Sequence, residues 1–181
     1  MKKQIVIAAL ALGAFIFGTS DAQAQATSNA ASTTVNLILS DVISIDAGSV
    51  ASNGIVDFNY VTSADYNAAK NVTVANSLIV TSSKNFDVKV KAGGADFSNG
   101  TNKIPVDVLQ IQAVTGGSMV GTLNTITLST TDQKLVSNAT LGAQKSLSID
   151  YSISAVKAQT VLLGKPGGTY KQTVTYTATA L

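Results

Sequence analysis

The 181-residue chain contains no cysteine, histidine, tryptophan, arginine or glutamate, and only two prolines. Each absence removes a class of chemistry. Without cysteine there is no disulfide, no thiolate nucleophile and no lipid-anchored N-terminus. Without histidine the commonest general base and metal ligand is missing. Without arginine there is no guanidinium fork to grip a phosphate or a guanine edge through two parallel hydrogen bonds. Every acid is Asp and every base is Lys. What remains is Ser, Thr, Asn, Gly, Ala and aliphatic residues set out with a period of two. That vocabulary suits β-sheets that hold or join things, and suits bond-making poorly.

The first residues read as a secretory signal peptide. Lys2 and Lys3 precede an apolar run from Ile5 to Phe17, and small residues follow. Ala22-Gln23-Ala24 and Ala24-Gln25-Ala26 are overlapping cleavage sites, so residues 1–24 are expected to leave, with cleavage after 24 or 26. The run is shorter than the ~20 residues a helical membrane span needs, and no later segment is long or apolar enough. Removal takes two Lys and one Asp, leaving ten Lys against nine Asp. With scattered lysines, few aromatics and near-neutral charge, nucleic acid is not an expected partner. Residues 25–32 read as a flexible N-terminal arm, and 33–181 as a single domain. A chain of this size buries roughly 68–70% of its unfolded surface and can stand on packing alone.

Period-two runs recur along that domain. Thr33 to Ile45 carries Val35, Leu37 and Leu39 on one face, and Gly54 to Tyr60 carries Val56, Phe58 and Tyr60. Asn71–Ala75 and Leu78–Ser82 are expected to form one or two strands. Phe86, Val88 and Val90 alternate with Asp87, Lys89 and Lys91, which predicts a half-buried strand with its charges in water. Gly93 to Lys103 reads as a turn-rich loop. Ile104 to Val114 is strand-like with a phase shift at Val108-Leu109, the sign of a β-bulge. Leu123–Ser129 is another strand, followed by a less defined piece around Leu135 and Leu141. Leu147 to Ile153 alternates clearly. Tyr170, Val174 and Tyr176 share a face against a ladder of threonines. Ala64–Lys70 and Val156–Leu163 have room for short helical turns. The pattern predicts an all-β protein, an antiparallel β-sandwich of Ig-like or pilin-like Greek-key type with 7–10 strands.

A search for chemistry returns little. Asp41, Asp46, Asp57, Asp65, Asp87, Asp96, Asp107, Asp132 and Asp150 are spread singly, with no Asp-x-Asp cluster of calcium-loop type. Ser83-Lys84 and Lys145-Ser146 are adjacent pairs without the Ser-x-x-Lys spacing of a Lys-activated serine. Glycine pairs at 93–94, 116–117 and 167–168 lack phosphate-loop spacing and read as turns. No catalytic residue, metal ligand or cofactor is expected, and the chain reads as a non-enzyme. Tyr60, Tyr66, Tyr151 and Tyr170 offer rings for sugar stacking, but three of them fall at interior or half-buried positions. Tyr66, in the polar stretch Ser63 to Asn67, is the one candidate ligand contact.

Both ends of the domain resemble the secreted pilin and spore-coat-U type of β-sandwich subunit. Gly168-Thr169-Tyr170-Lys171-Gln172-Thr173-Val174-Thr175-Tyr176-Thr177-Ala178 is similar to that group's closing Gly-x-Tyr-x-x-Thr-Val strand. The small polar arm followed by Thr33-Thr34-Val35-Asn36-Leu37-Ile38-Leu39 resembles its donor segment. The resemblance implies assembly by β-strand addition, with Val35, Leu37 and Leu39 as inserted side chains and other surface subunits or further copies as partners. The same run also reads as the domain's own first strand. Deleting Thr27 to Leu39 separates the two: loss of a donor leaves a folded monomer, whereas loss of a first strand unfolds the domain. The expected function is a secreted structural or adhesive subunit of a pilus-like assembly, located in the periplasm, at the cell surface or outside. The alternative is a monomeric secreted module that binds glycan or cell-wall material.

Overall fold

The computed structural model describes residues 31–49 and 54–181. The signal-peptide assignment and most of the 25–32 arm lie outside the described residues. The contact pattern divides the chain after Ile38, and each part is taken by itself.

Residues 31–38 carry no helix or strand, and all of them are exposed. The reading of 33–45 as one first strand is corrected: in the second unit, strand structure begins only at β1 (Ile43–Ile45).

The described residues of the second unit form a β structure, and all strand pairing among them is antiparallel. Eleven strands are present among the described residues, more than the seven to ten expected. Ten follow β1: β2 (Lys70–Ser82), β3 (Phe86–Ala92), β4 (Asp96–Asn99), β5 (Asn102–Pro105), β6 (Gln110–Val114), β7 (Thr122–Leu123), β8 (Thr125–Thr127), β9 (Gln133–Ala139), β10 (Gly142–Ile153) and β11 (Val174–Ala180). A five-stranded sheet has the order β1-β2-β10-β6-β8, and a four-stranded sheet the order β11-β3-β9-β7. β4 and β5 form a separate hairpin.

The two sheets contribute to one apolar cluster. Leu78, Val80, Ile111, Leu147 and Ile149 come from the first, and Phe86, Val88, Val90, Leu135 and Val136 from the second. At roughly 1.5–3 kcal/mol for each large aliphatic or aromatic side chain removed from water, this cluster is the main favourable contribution to folding. The alternation read in the sequence positions it. In β11, Val174, Tyr176 and Ala178 pack on the cluster while Thr175, Thr177 and Thr179 face outward.

Several local expectations need correction. The supposed loop at 93–103 holds the β4–β5 hairpin, closed by a two-residue turn in which Gly100 has φ +60°, a conformation that favours glycine. The phase shift at Val108-Leu109 is a 3-10 turn over Val106–Val108 instead of a bulge. Both alternatives invert which side chains face the core, so sequence phase alone does not separate them. The 123–129 run divides between sheets: β7 pairs with β9, and β8 pairs with β6. Asn124 makes the crossing, donating from its N–H to the Leu135 carbonyl (2.9 Å) and accepting from the Ala113 N–H (3.0 Å). Asp87 is not in water; it is buried against Lys134 of the neighbouring β9. Tyr170 lies ahead of β11, its hydroxyl donating to the Pro166 carbonyl (2.9 Å).

The expected pair of segments at 71–75 and 78–82 is one strand, β2, interrupted by a bulge. Pairing with β10 jumps from Leu147↔Leu78 to Ile149↔Val74, so Ala75, Asn76 and Ser77 stand opposite Ser148 alone. Asn76 takes φ 49° there, a left-handed value that Asn tolerates. Helical turns at Ser63–Tyr66 and Ala155–Lys157, the latter continued by a wide turn to Leu162, fall where the sequence left room for them.

Candidate functional site

Val35, Leu37 and Leu39, the expected donor side chains, are 76%, 85% and 90% exposed, and Ile38 is 90% exposed. Large aliphatic side chains set close together in water forgo the burial that stabilises the rest of the chain. In the second unit the chain is first tied down at Asp41 and Val42. Asp41 pairs with Lys84 (2.5 Å). Val42 donates its N–H to Ser83 Oγ (2.9 Å) and accepts from the Ser83 N–H (2.9 Å). The Lys84 hydrogen bond holds the Asp41 carboxyl below its ordinary pKa.

A second feature lies at one margin of the two sheets. β11 ends its sheet, with only β3 beside it. β2 is the next-to-last strand of the other sheet, but β1 covers it only from Val80 to Ser82. Thus, among the described residues, β11 and the Lys70–Leu78 part of β2 each present an edge without a strand partner. Between them lies a cavity of about 830 Å³, lined by Val74, Tyr151, Ile153, Phe97, Val174 and Tyr176 among others.

Residues 54–61 line this cavity as an extended segment. Val56, Phe58 and Tyr60 pack against the core cluster while Ile55, Asp57, Asn59 and Val61 face solvent. The period-two reading of this run is therefore right about facing. Among the described residues the run joins no ladder. Among the described residues, no backbone-to-backbone hydrogen bond involves 54–61. The Asn59 carbonyl accepts from Lys70 Nζ, and the Val61 N–H donates to Asp65 Oδ2 (2.8 Å). Among the described residues the buried Tyr60 hydroxyl has no hydrogen-bond partner. Burial first, and then the Asp65 charge, raise its pKa.

The far end of this segment is clamped. Thr62 caps the Ser63–Tyr66 turn, and Asp65 accepts from the Thr62 N–H (2.7 Å) and hydroxyl (2.9 Å) in a reciprocal capping box. Lys70 Nζ adds an ion pair to Asp65 at 2.7 Å. Lys70, followed by the Thr62 and Val61 donors, holds the Asp65 carboxyl well below the usual carboxylate range. The Thr62-x-x-Asp65 spacing is the sequence signal that identifies this clamp.

Tyr66 lines the same cavity, half-buried, its ring 5.1 Å from that of Tyr60 at an interplanar angle of 43°. Lys70 Nζ lies 5.1 Å from the Tyr60 ring centre, within reach of a cation–π contact. Deeper in, the hydroxyls of Tyr151 on β10 and Tyr176 on β11 meet at 2.6 Å and bond the two sheets. Neither hydroxyl contact was legible in the sequence, because residues 151 and 176 meet only through the fold.

Other titratable groups do not converge. Among the described residues no group of three Asp side chains could hold a metal ion. Asp46 accepts from Ser44 and Thr81, and Asp150 from Thr73. Asp96, Asp107 and Asp132 pair with Lys103, Lys157 and Lys91. These are contacts within or between neighbouring strands and turns, and among the described residues Asp57 is the one carboxylate lining the cavity. Ser83 bonds Asp41 and Val42, and Ser146 bonds Ser118, so neither serine bonds its adjacent lysine. Among the described residues no helix is long and apolar enough to cross a membrane.

The chain matches no protein-family model and no curated protein sequence.

Proposed function

We propose that this protein is an exported, non-enzymatic structural or adhesive subunit that joins other subunits by β-strand addition. In this reading the two sheets form a pilin-like Greek-key sandwich with one open margin. Val35, Leu37 and Leu39 are the side chains inserted into a partner, and the compartment is the periplasm, the cell surface or the exterior. The observation that carries it is the arm: an alternating aliphatic run, strand-like in composition, that stands in water with no ladder partner. Burying the three side chains contributes roughly 5–9 kcal/mol before ordering costs, at about 1.5–3 each. Main-chain hydrogen bonds to a sheet edge add register and direction. A head-to-tail contact of this kind does not close on itself, so it extends into a filament.

The test is size-exclusion chromatography and electron microscopy of the exported chain with and without Gln25 to Leu39. The expected result is concentration-dependent oligomers or filaments for the intact chain and a folded monomer for the shortened one. A chain that stays monomeric at every concentration, or a shortened chain that unfolds, removes the reading.

A second reading has one observation in its favour. Tyr60 and Tyr66 place two rings side by side at the cavity, an arrangement suited to the face of a pyranose. A glycan- or cell-wall-binding module would lose retention on polysaccharide when Tyr66→Ala is introduced. A glycan array without signal for the unaltered chain disposes of it.

A further inference from the structure

The margin between β2 and β11 is already covered, but by a segment that makes poor use of it. Val56, Phe58 and Tyr60 occupy positions i, i+2 and i+4 of an extended stretch and pack inward. Val35, Leu37 and Leu39 have the same spacing and lie exposed. The two segments thus offer the same side-chain template to the same kind of groove.

We propose that residues 54–60 act as a plug held in this groove in cis, and that the Val35–Leu39 segment of a second copy of the chain displaces it to pair with the free edge of β11. The proposal rests on the strand-addition reading and adds to it an acceptor site and a barrier to premature assembly.

Three observations support displacement. The plug makes no backbone ladder, so leaving the groove breaks no strand pairing. Among the described residues it buries the Tyr60 hydroxyl without a partner, a cost that an incoming Val or Leu does not carry. Among the described residues its polar anchors are the Asp65 clamp on Val61 and Thr62 and the Lys70 bond to Asn59. A segment with few exchangeable backbone bonds and local anchoring opens at a small fraction of the global unfolding free energy. The incoming strand gains what the plug lacks. β11 pairs with β3 over its whole length, and its outward N–H and C=O groups are presented at a sheet edge.

The absence of cysteine makes a direct test simple. The host is the exported full chain carrying Leu37→Ser and Leu39→Ser, so that its own arm does not compete. The probe is a fluorescent synthetic peptide of residues 31–42. Val56→Cys places a single thiol on the inward face of the plug. Binding of the peptide is expected to raise the rate of maleimide labelling at position 56 by at least about tenfold and to protect the β11 amides from exchange. Tyr60→Phe removes the orphaned hydroxyl without removing the ring. It is expected to tighten the plug and weaken peptide affinity several-fold, a direction opposite to that of a damaged fold. If β11 is protected while labelling at position 56 and the Tyr60→Phe affinity do not change, the plug is wrong and strand addition stands. If the peptide binds no host and β11 gains no protection, strand addition falls and the plug with it.

Discussion

At the scale of single residues, two polar contacts are expected to dominate the response to mutation and pH. Asp87 sits on the outward face of β3 yet is only 4% exposed. It pairs with Lys134 at 2.7 Å and accepts the Asn138 N–H at 2.9 Å, both from β9. The Lys134 hydrogen bond, followed by the Asn138 donor, lowers its pKa. A carboxyl depressed in the folded state favours folding above its unfolded pKa of about 3.9, and that contribution disappears as pH falls through the folded value. Asp87→Ala is expected to cost about 1–3 kcal/mol at neutral pH and to flatten the loss of stability below pH ~4, read from urea midpoints. The Tyr151–Tyr176 hydroxyl pair behaves in the opposite sense. Burial, then the neighbouring Tyr151, push the Tyr176 pKa far up, so the folded state holds it neutral. Unfolded tyrosine ionises near pH ~10, so stability is expected to fall as pH rises above that point. Tyr176→Phe leaves the Tyr151 hydroxyl without its partner and is expected to cost about 1–3 kcal/mol. The Tyr151→Phe/Tyr176→Phe double variant should recover much of that loss, and a double-mutant cycle measures how much.

At the scale of elements, the turns and clamps decide what the strands can reach. Gly117 lies where the 115–118 turn presses on β10: an added Cβ would meet the Ser146 carbonyl oxygen at 2.1 Å and its carbon at 2.7 Å. Both atoms are backbone, and the Met119 N–H already donates to that same carbonyl at 2.8 Å. Gly117→Ala is therefore expected to cost about 1–3 kcal/mol and to lower the melting temperature, measured by thermal unfolding. The Asp65 clamp is an element-level device of another kind, because it fixes where the unladdered 54–61 segment ends. Asp65→Asn is expected to speed amide exchange at Val61 and Thr62 while leaving β3 and β10 unchanged. A carboxyl held this far below its usual range keeps the clamp charged in moderate acid. The same loosening is then expected in the unaltered chain only well below pH ~4.

At the scale of the whole molecule, the exposed arm and the sheet margin predict association without loss of fold. Leu37→Asp is expected to abolish concentration-dependent association while leaving the unfolding midpoint within about 0.5 kcal/mol of the unaltered chain, because the side chain is already in water. Analytical ultracentrifugation paired with denaturant unfolding checks both halves. A large loss of stability would mean that Leu37 belongs to a core, and would count against the donor role.

The sequence by itself determined the β class, the facing of most strands and the poverty of chemistry. Alternation of the kind seen in Phe86-Val88-Val90 or Val174-Tyr176-Ala178 has one favourable solution, with apolar side chains in and polar side chains out. The clamp at Thr62 and Asp65 is equally local, but its Thr-x-x-Asp spacing is a signal that the sequence reading misses. Tertiary structure decided the rest. The Thr33–Leu39 and Gly54–Tyr60 runs alternate as well as β11 does, yet among the described residues neither forms a ladder. Pairing depends on a free neighbouring edge, which no local pattern encodes. Whether Asp87 lies in water or under Lys134, and whether Tyr151 finds Tyr176, depended likewise on which strands became neighbours. Periodicity fixes where a side chain points; only the assembled sheets fix what it meets.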